Sequence, residues 1–147
     1  MIGKSVFDVP QNDPNKVRKD IVVEFLNLIA EGKPQDGLLF FDLDCKTHNP
    51  YTAGGINELI DAMIAVQKQG AEGIMKGSKA EFKLTIRQVI ADGDFVAVHT
   101  QVSSSKPVDG GLRQVHLFRF RGDKIVEYWD ITQFIPQNTP NAEGAFS

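Results

Sequence analysis

Cysteine is almost missing from this chain of 147 residues, where Cys45 stands alone. One thiol excludes an internal disulfide framework and every zinc pattern built on paired cysteines, and it fits a reducing compartment. An excess of one charge is missing as well. Sixteen Lys and Arg against nineteen Asp and Glu leave a net charge of −3, with no long run of either sign, so the electrostatic footprint for nucleic acid or an anionic membrane is absent. No apolar run approaches the roughly 18 residues of a membrane span, and the opening Met1-Ile2-Gly3-Lys4-Ser5 lacks the apolar region of a secretory signal. The expectation is a cytoplasmic protein that binds neither nucleic acid nor membrane. Gly54-Gly55 and Gly110-Gly111 lack the spacing and the trailing Lys of a phosphate loop. Histidines number three, with no His-x-x-x-His among them, so neither a metal nor a cofactor is expected.

What remains is ordinary globular material: 41% hydrophobic and 24% charged residues, read as a single domain over residues 1–147. A chain of this size buries about 68–70% of its surface on folding, enough for a core without staples. Residues 1–12 show no helical period and read as a loosely held N-terminal arm. Asp13-Pro14 reads as a helix entrance, and Val17, Ile21, Phe25, Leu28 and Ile29 follow at steps that place them on one side of a helix ending near Gly32. A second short helix is expected from Asp36 to Leu43, and a third from Gly54-Gly55 to Gly70 with Ile56, Leu59, Ile60, Met63 and Val66 on one face. The period then becomes two. Residues 80–90 and Phe95 to Ser103 alternate around the turn Asp92-Gly93, and Leu112 to Arg121 pairs with Ile125 to Phe134 around Gly122-Asp123. Residues 136–147, rich in Asn, Pro and Gly, read as a mobile C-terminal tail. Helices followed by a meander give an α+β class: a cone-shaped curved antiparallel sheet with three N-terminal helices covering its concave face. Such a cone encloses an apolar interior suited to a small molecule.

Parity selects the residues that could work there. In the third long strand His116 alternates with Phe118 and Phe120, and in the fourth Tyr128 and Asp130 share a face. Asp130 is the most informative, because strands disfavour Asp and a buried carboxylate needs a reason. A carboxylate in an apolar pocket beside an imidazole suits a group that both takes and gives a proton. His116 reads as proton shuttle or oxyanion donor, and equally as a core imidazole with its hydrogen bonds satisfied. His48, before Asn49-Pro50, occupies a bend where binding groups gather, and the Asn49 amide could address a substrate carbonyl. Tyr128 could donate a phenolic proton. His99 is a weaker binding candidate whose face is left open by its parity mates, and the bulk of Phe118 would shape the pocket.

Three stretches together, Asp44-Cys45-Lys46-Thr47-His48-Asn49-Pro50, Asp92-Gly93-Asp94-Phe95-Val96-Ala97-Val98-His99 and Gly122-Asp123-Lys124-Ile125-Val126-Glu127-Tyr128-Trp129-Asp130, resemble SnoaL-like proteins. These lie within the wider superfamily of nuclear transport factor 2 and ketosteroid isomerase. The resemblance spans roughly residues 15–135. It implies a homodimer packed through sheet surfaces and, for the polyketide cyclases, an intramolecular aldol condensation on a small hydrophobic carbonyl compound, without cofactor. It carries the general acid-base role onto Asp130 and pocket positions onto His48 and His116. Tyr128 stands where many relatives have His. The positions matching the ketosteroid isomerase carboxylates are not acidic here, which weighs against steroid isomerisation. Two other readings stand beside the cyclase: a non-catalytic ligand-binding or dimerisation module, and an isomerase, lyase or hydrolase of another small carbonyl or epoxide compound.

Overall fold

A computed structural model describes residues 2–3, 7–72, 82–104, 111–136, 138–141 and 144. In chain order they form β1 (Ile2–Gly3), α1 (Lys16–Ala30), a short 3-10 helix (Pro34–Phe40), β2 (Phe41–Thr47), α2 (Ile56–Glu72), β3 (Phe82–Asp92), β4 (Phe95–Ser104), β5 (Leu112–Arg121) and β6 (Lys124–Phe134). The expected α+β architecture is the one observed. One sheet runs β1-β3-β4-β5-β6-β2, antiparallel through its four long strands and parallel at both edges. Gly93 and Gly122, at φ of 55° and 60°, supply the left-handed backbone that the two tight hairpins demand. No described helix is long and apolar enough to cross a membrane.

Several expectations shift at the edges. The apolar run at 38–41 divides instead of continuing a helix to Leu43. Phe41 is buried as the first residue of β2, paired with Ile125, while Leu43 is 93% exposed. Gly37 makes the preceding 3-10 turn possible, because a Cβ there would lie 2.5 Å from Cδ1 of Phe25. Helix α1 starts two residues after Pro14; Asp13 instead accepts the backbone N–H of Asn15 at 2.8 Å and closes the turn before it. Val17 is 60% exposed, because it sits about 140° around the helix from Val22 at the centre of the buried face. The arm is held at two places: Ile2–Gly3 pairs with Phe82 and Lys83, and Val9 is buried. The Val66 side chain and half of the tail lie outside the described residues.

The core fills one end of the cone. Val22, Phe25 and Leu26 from α1 press on Val96, Val98, Phe118 and Phe120 from the sheet. Phe25 meets Phe41 edge-on at 4.9 Å and Phe118 at 6.2 Å. Burying each such ring contributes about 1.5–3 kcal/mol. Toward the other end the aromatic packing gives way to open space bounded by α1, α2 and the sheet.

Candidate active site

That space is a cavity of about 390 Å³. Its walls are mainly aliphatic, with Leu26, Leu59, Met63, Leu84 and Val102 among them, and its polar groups come from β5, β6 and the segment after β2. Asp130 supplies the carboxylate. Its Oδ2 accepts a hydrogen bond from Nδ2 of Asn49 at 2.8 Å. The amide cannot turn over without loss, because Asn49 Oδ1 accepts the backbone N–H of Tyr51 at 2.8 Å and so leaves the NH₂ side for Asp130. Pro50 extends the backbone at Asn49, and the N–H of His48 donates to the carbonyl of Tyr128 at 2.9 Å. The Asx turn thus carries Asn49 over the rim of β6.

Beside Asp130 lies a buried polar row, two of whose members, His116 and Tyr128, reach the cavity wall. His116 pairs directly across the strands with Asp130, is 5% exposed, and uses both ring nitrogens: Nδ1 lies 2.7 Å from Oη of Tyr128 and Nε2 lies 3.2 Å from Oγ1 of Thr100. Burial pushes the imidazole pKa down to about 4, so the ring is neutral near pH 7. Burial, and then the nearby negative charge of Asp130, drive the Tyr128 phenol well above its ordinary range; its hydroxyl keeps its proton. The arrangement is one carboxyl group at a cavity wall, one amide fixing it, and one hydroxyl backed by a neutral imidazole.

A family model for the SnoaL-like domain matches residues 22–128. The chain belongs to the SnoaL-like family. Among solved structures, this SnoaL-like protein is similar to a candidate polyketide cyclase from Bacillus cereus, at 13% identity and a TM-score of 0.63, over 89% of this chain and 85% of that one. It is also similar to an NTF2-like protein of unknown function from Cytophaga hutchinsonii, at 14% identity, TM-score 0.57, over 79% and 89%. A third is an epoxide hydrolase from M. tuberculosis, at 16% identity, TM-score 0.56, over 80% and 83%. Likeness at this identity shows the shared fold. No curated protein matches the sequence.

Of the residues singled out in sequence, the fold brings Asp130, His116, Tyr128 and Asn49 to the SnoaL-like cavity and leaves three outside it. His48 is on the other side of the sheet. It stacks on Trp129 at 4.7 Å and 7°, with Nε2 2.7 Å from Oε2 of Glu127; adjacent residues in extended backbone point oppositely, so Asn49 goes in and His48 goes out. The same Glu127 accepts Nε and Nη2 of Arg119 at 2.9 and 2.8 Å. Hydrogen bonds from His48 and then Arg119 hold its pKa below the usual carboxylate value. His99 also faces outward, in register with Gln88 and Val115, and partial burial followed by Arg113 and Arg87 lowers its pKa. Phe118 is completely buried between Phe25 and Tyr128, whose ring centroid is 5.0 Å away; it is core, deeper than the cavity.

Sequence reasoning missed Thr100 and Gln114. Gln114 lines the cavity, and Thr100 is completely buried against His116. Parity with Val96 and Val98 was the available signal for Thr100. Cys45 offers no nucleophile, since burial, with Asp42 and Glu127 nearby, pushes its thiol up to about 12.

Proposed function

We propose that this protein is a SnoaL-like cyclase, catalysing cofactor-independent intramolecular aldol condensation, or a related proton transfer, on a small hydrophobic polyketide-like compound. The observation that carries the reading is the Asp130 carboxylate, oriented by Asn49 at the wall of an apolar cavity of about 390 Å³. Asp130 takes the proton from a carbon flanked by two carbonyls. The enolate carbon attacks a further carbonyl of the same molecule, a C–C bond forms, and the alkoxide receives the proton that Asp130 holds. Tyr128 donates a hydrogen bond to the oxygen on which negative charge grows. The aliphatic walls fold the chain so that its two reacting carbons meet. His116, with both nitrogens engaged, acts through Tyr128 and does not shuttle protons itself.

The hydrolase of an epoxide gains less support. An arginine would be needed beside the acid, but Arg87 donates to Gln101 and Arg119 to Glu127, both on the outer face. The same reading takes the active protein to be a homodimer joined through that outer face, where Ile90, Phe95, Val115 and Ile131 are exposed.

The test is deuterium exchange at the active methylene of a β-diketone or β-keto ester in D₂O, followed by proton NMR. The wild-type protein should accelerate exchange and Asp130→Asn should not, while both bind the compound. Wild-type binding with no exchange would overturn catalysis in favour of a binding module.

A further inference from the structure

Thr100, His116 and Tyr128 form a buried chain of three polar side chains joined by two hydrogen bonds. Such a chain can run in either direction, and the direction decides what the cavity meets. If the Tyr128 hydroxyl donates to Nδ1, the imidazole carries its proton on Nε2 and donates it to Thr100. The oxygen of Tyr128 then presents only lone pairs to the cavity. If Thr100 donates to Nε2, the ring carries its proton on Nδ1 and donates it to Tyr128, and the phenolic proton is free to point into the cavity.

Two observations choose the second direction. Thr100 and Tyr128 are both completely buried, but only Tyr128 lines the cavity, and among the described residues Thr100 Oγ1 has one hydrogen-bond partner, His116 Nε2. In the first direction the Thr100 hydroxyl proton would be enclosed with no acceptor, a loss that buried polar groups avoid. Asp130 lies two residues from Tyr128 on the same face of β6, and both line the cavity. Its negative charge repels phenolic lone pairs and attracts the phenolic proton.

We propose that Thr100 sets the direction of this chain, holding His116 as the Nδ1–H tautomer so that Tyr128 is the oxyanion donor of the cavity. Thr100 and His116 are positioning residues in this scheme; Tyr128 is the group that touches the reacting oxygen. The functional part rests on the cyclase reading, whereas the tautomer does not.

The experiment therefore has two arms. Long-range proton–nitrogen correlation NMR on the ¹⁵N-labelled protein near pH 7 reads the His116 tautomer without any substrate. An amine-type Nδ1 and imine-type Nε2 are expected; the reverse pattern overturns the proposal outright. Thr100→Val should populate the Nε2–H form, and Thr100→Ser should restore the wild-type pattern. A Thr100→Val protein that keeps the pure Nδ1–H form would remove Thr100 from its role. In the exchange assay with the β-diketone, Thr100→Val should lower the maximal rate about 10²-fold with little change in KM, with rescue by Ser, as expected for losing one donor to the transition state. An unchanged rate in a protein whose tautomer has shifted would show that Tyr128 is not the oxyanion donor. Absence of exchange in the wild type would instead remove the cyclase reading and leave the tautomer result standing.

Discussion

The same four long strands present two faces that treat their polar residues oppositely. On the inner face Asp130, Asn49, His116, Tyr128 and Thr100 are bonded mostly to one another within an apolar enclosure. On the outer face Arg119 and His48 both pair with Glu127 at the open surface, His48 at 40% side-chain exposure. Histidine shows the contrast most directly. His116 is kept neutral by burial and can only hand on hydrogen bonds; His48, half-exposed, stacks on Trp129 and meets the Glu127 carboxylate at 2.7 Å. Residue type therefore says little about role until the face is known.

The largest effect expected of this contrast belongs to Asp130→Asn, which should cost about 10²–10⁴-fold in exchange rate. Stability should move by no more than about 1.5 kcal/mol, the range of one net hydrogen bond, because an asparagine oxygen can still accept from Asn49. Activity assays with thermal melts check both numbers. Next comes Phe118→Ala, which separates core from cavity: a loss of about 3–5 kcal/mol in denaturant unfolding is expected for a completely enclosed ring. A loss under about 1 kcal/mol would return Phe118 to the cavity wall.

Acid should reveal the enclosure of His116. The folded-state pKa is about 4 against about 6.5 in the unfolded chain, so between these values the unfolded chain binds more protons. Stability is fully present above about pH 6.5 and falls as pH drops toward 4, by about 3 kcal/mol from this group. Glu127 and Asp13, held below their ordinary values by hydrogen-bonded cations, lose stabilisation in the same direction at lower pH. Comparing urea unfolding of wild type and His116→Gln across this window isolates the imidazole; parallel curves would mean that the ring protonates freely in the fold.

Outer-face association is the next comparison. Ile131 is 64% exposed on that face, and a charge there should shift sedimentation from dimer to monomer in Ile131→Asp. A wild-type monomer at tens of micromolar would exclude the homodimer at that concentration.

How far these assignments could be read in advance depended on periodicity. Where strands alternate over many residues, parity put His116 with Phe118 and Phe120 and Tyr128 with Asp130, and the structure brings both sets to the inner face. Where alternation is interrupted the reading failed. His48 follows a strand of seven residues, β2, whose first three residues read as the end of a helix, so nothing local told its face from that of Asn49. His99 lies beside the register shift between Ile86 and Gln88, and its mates Phe95, Ala97 and Gln101 mix sizes and polarity. Thr100 was visible by parity, but a threonine in a strand is so ordinary that only its hydrogen bond to a buried imidazole marks it.

The smallest effect tests whether the two faces are separate at all. His48 and Asn49 are neighbours on the chain yet serve opposite faces, His48 on Trp129 and Glu127, Asn49 on Asp130. A half-exposed side-chain pair of this kind contributes about 0–1 kcal/mol even when both partners are charged, so His48→Ala should lower stability by no more than that in chemical unfolding. The backbone bond from the His48 N–H to Tyr128 and the Asx turn at Tyr51 survive the substitution, because neither uses the imidazole. Exchange should then stay within about threefold of wild type, under 1 kcal/mol of transition-state stabilisation. A tenfold loss would mean that the outer-face stack, not the Asx turn, holds Asn49 against Asp130, and that the two faces work as one.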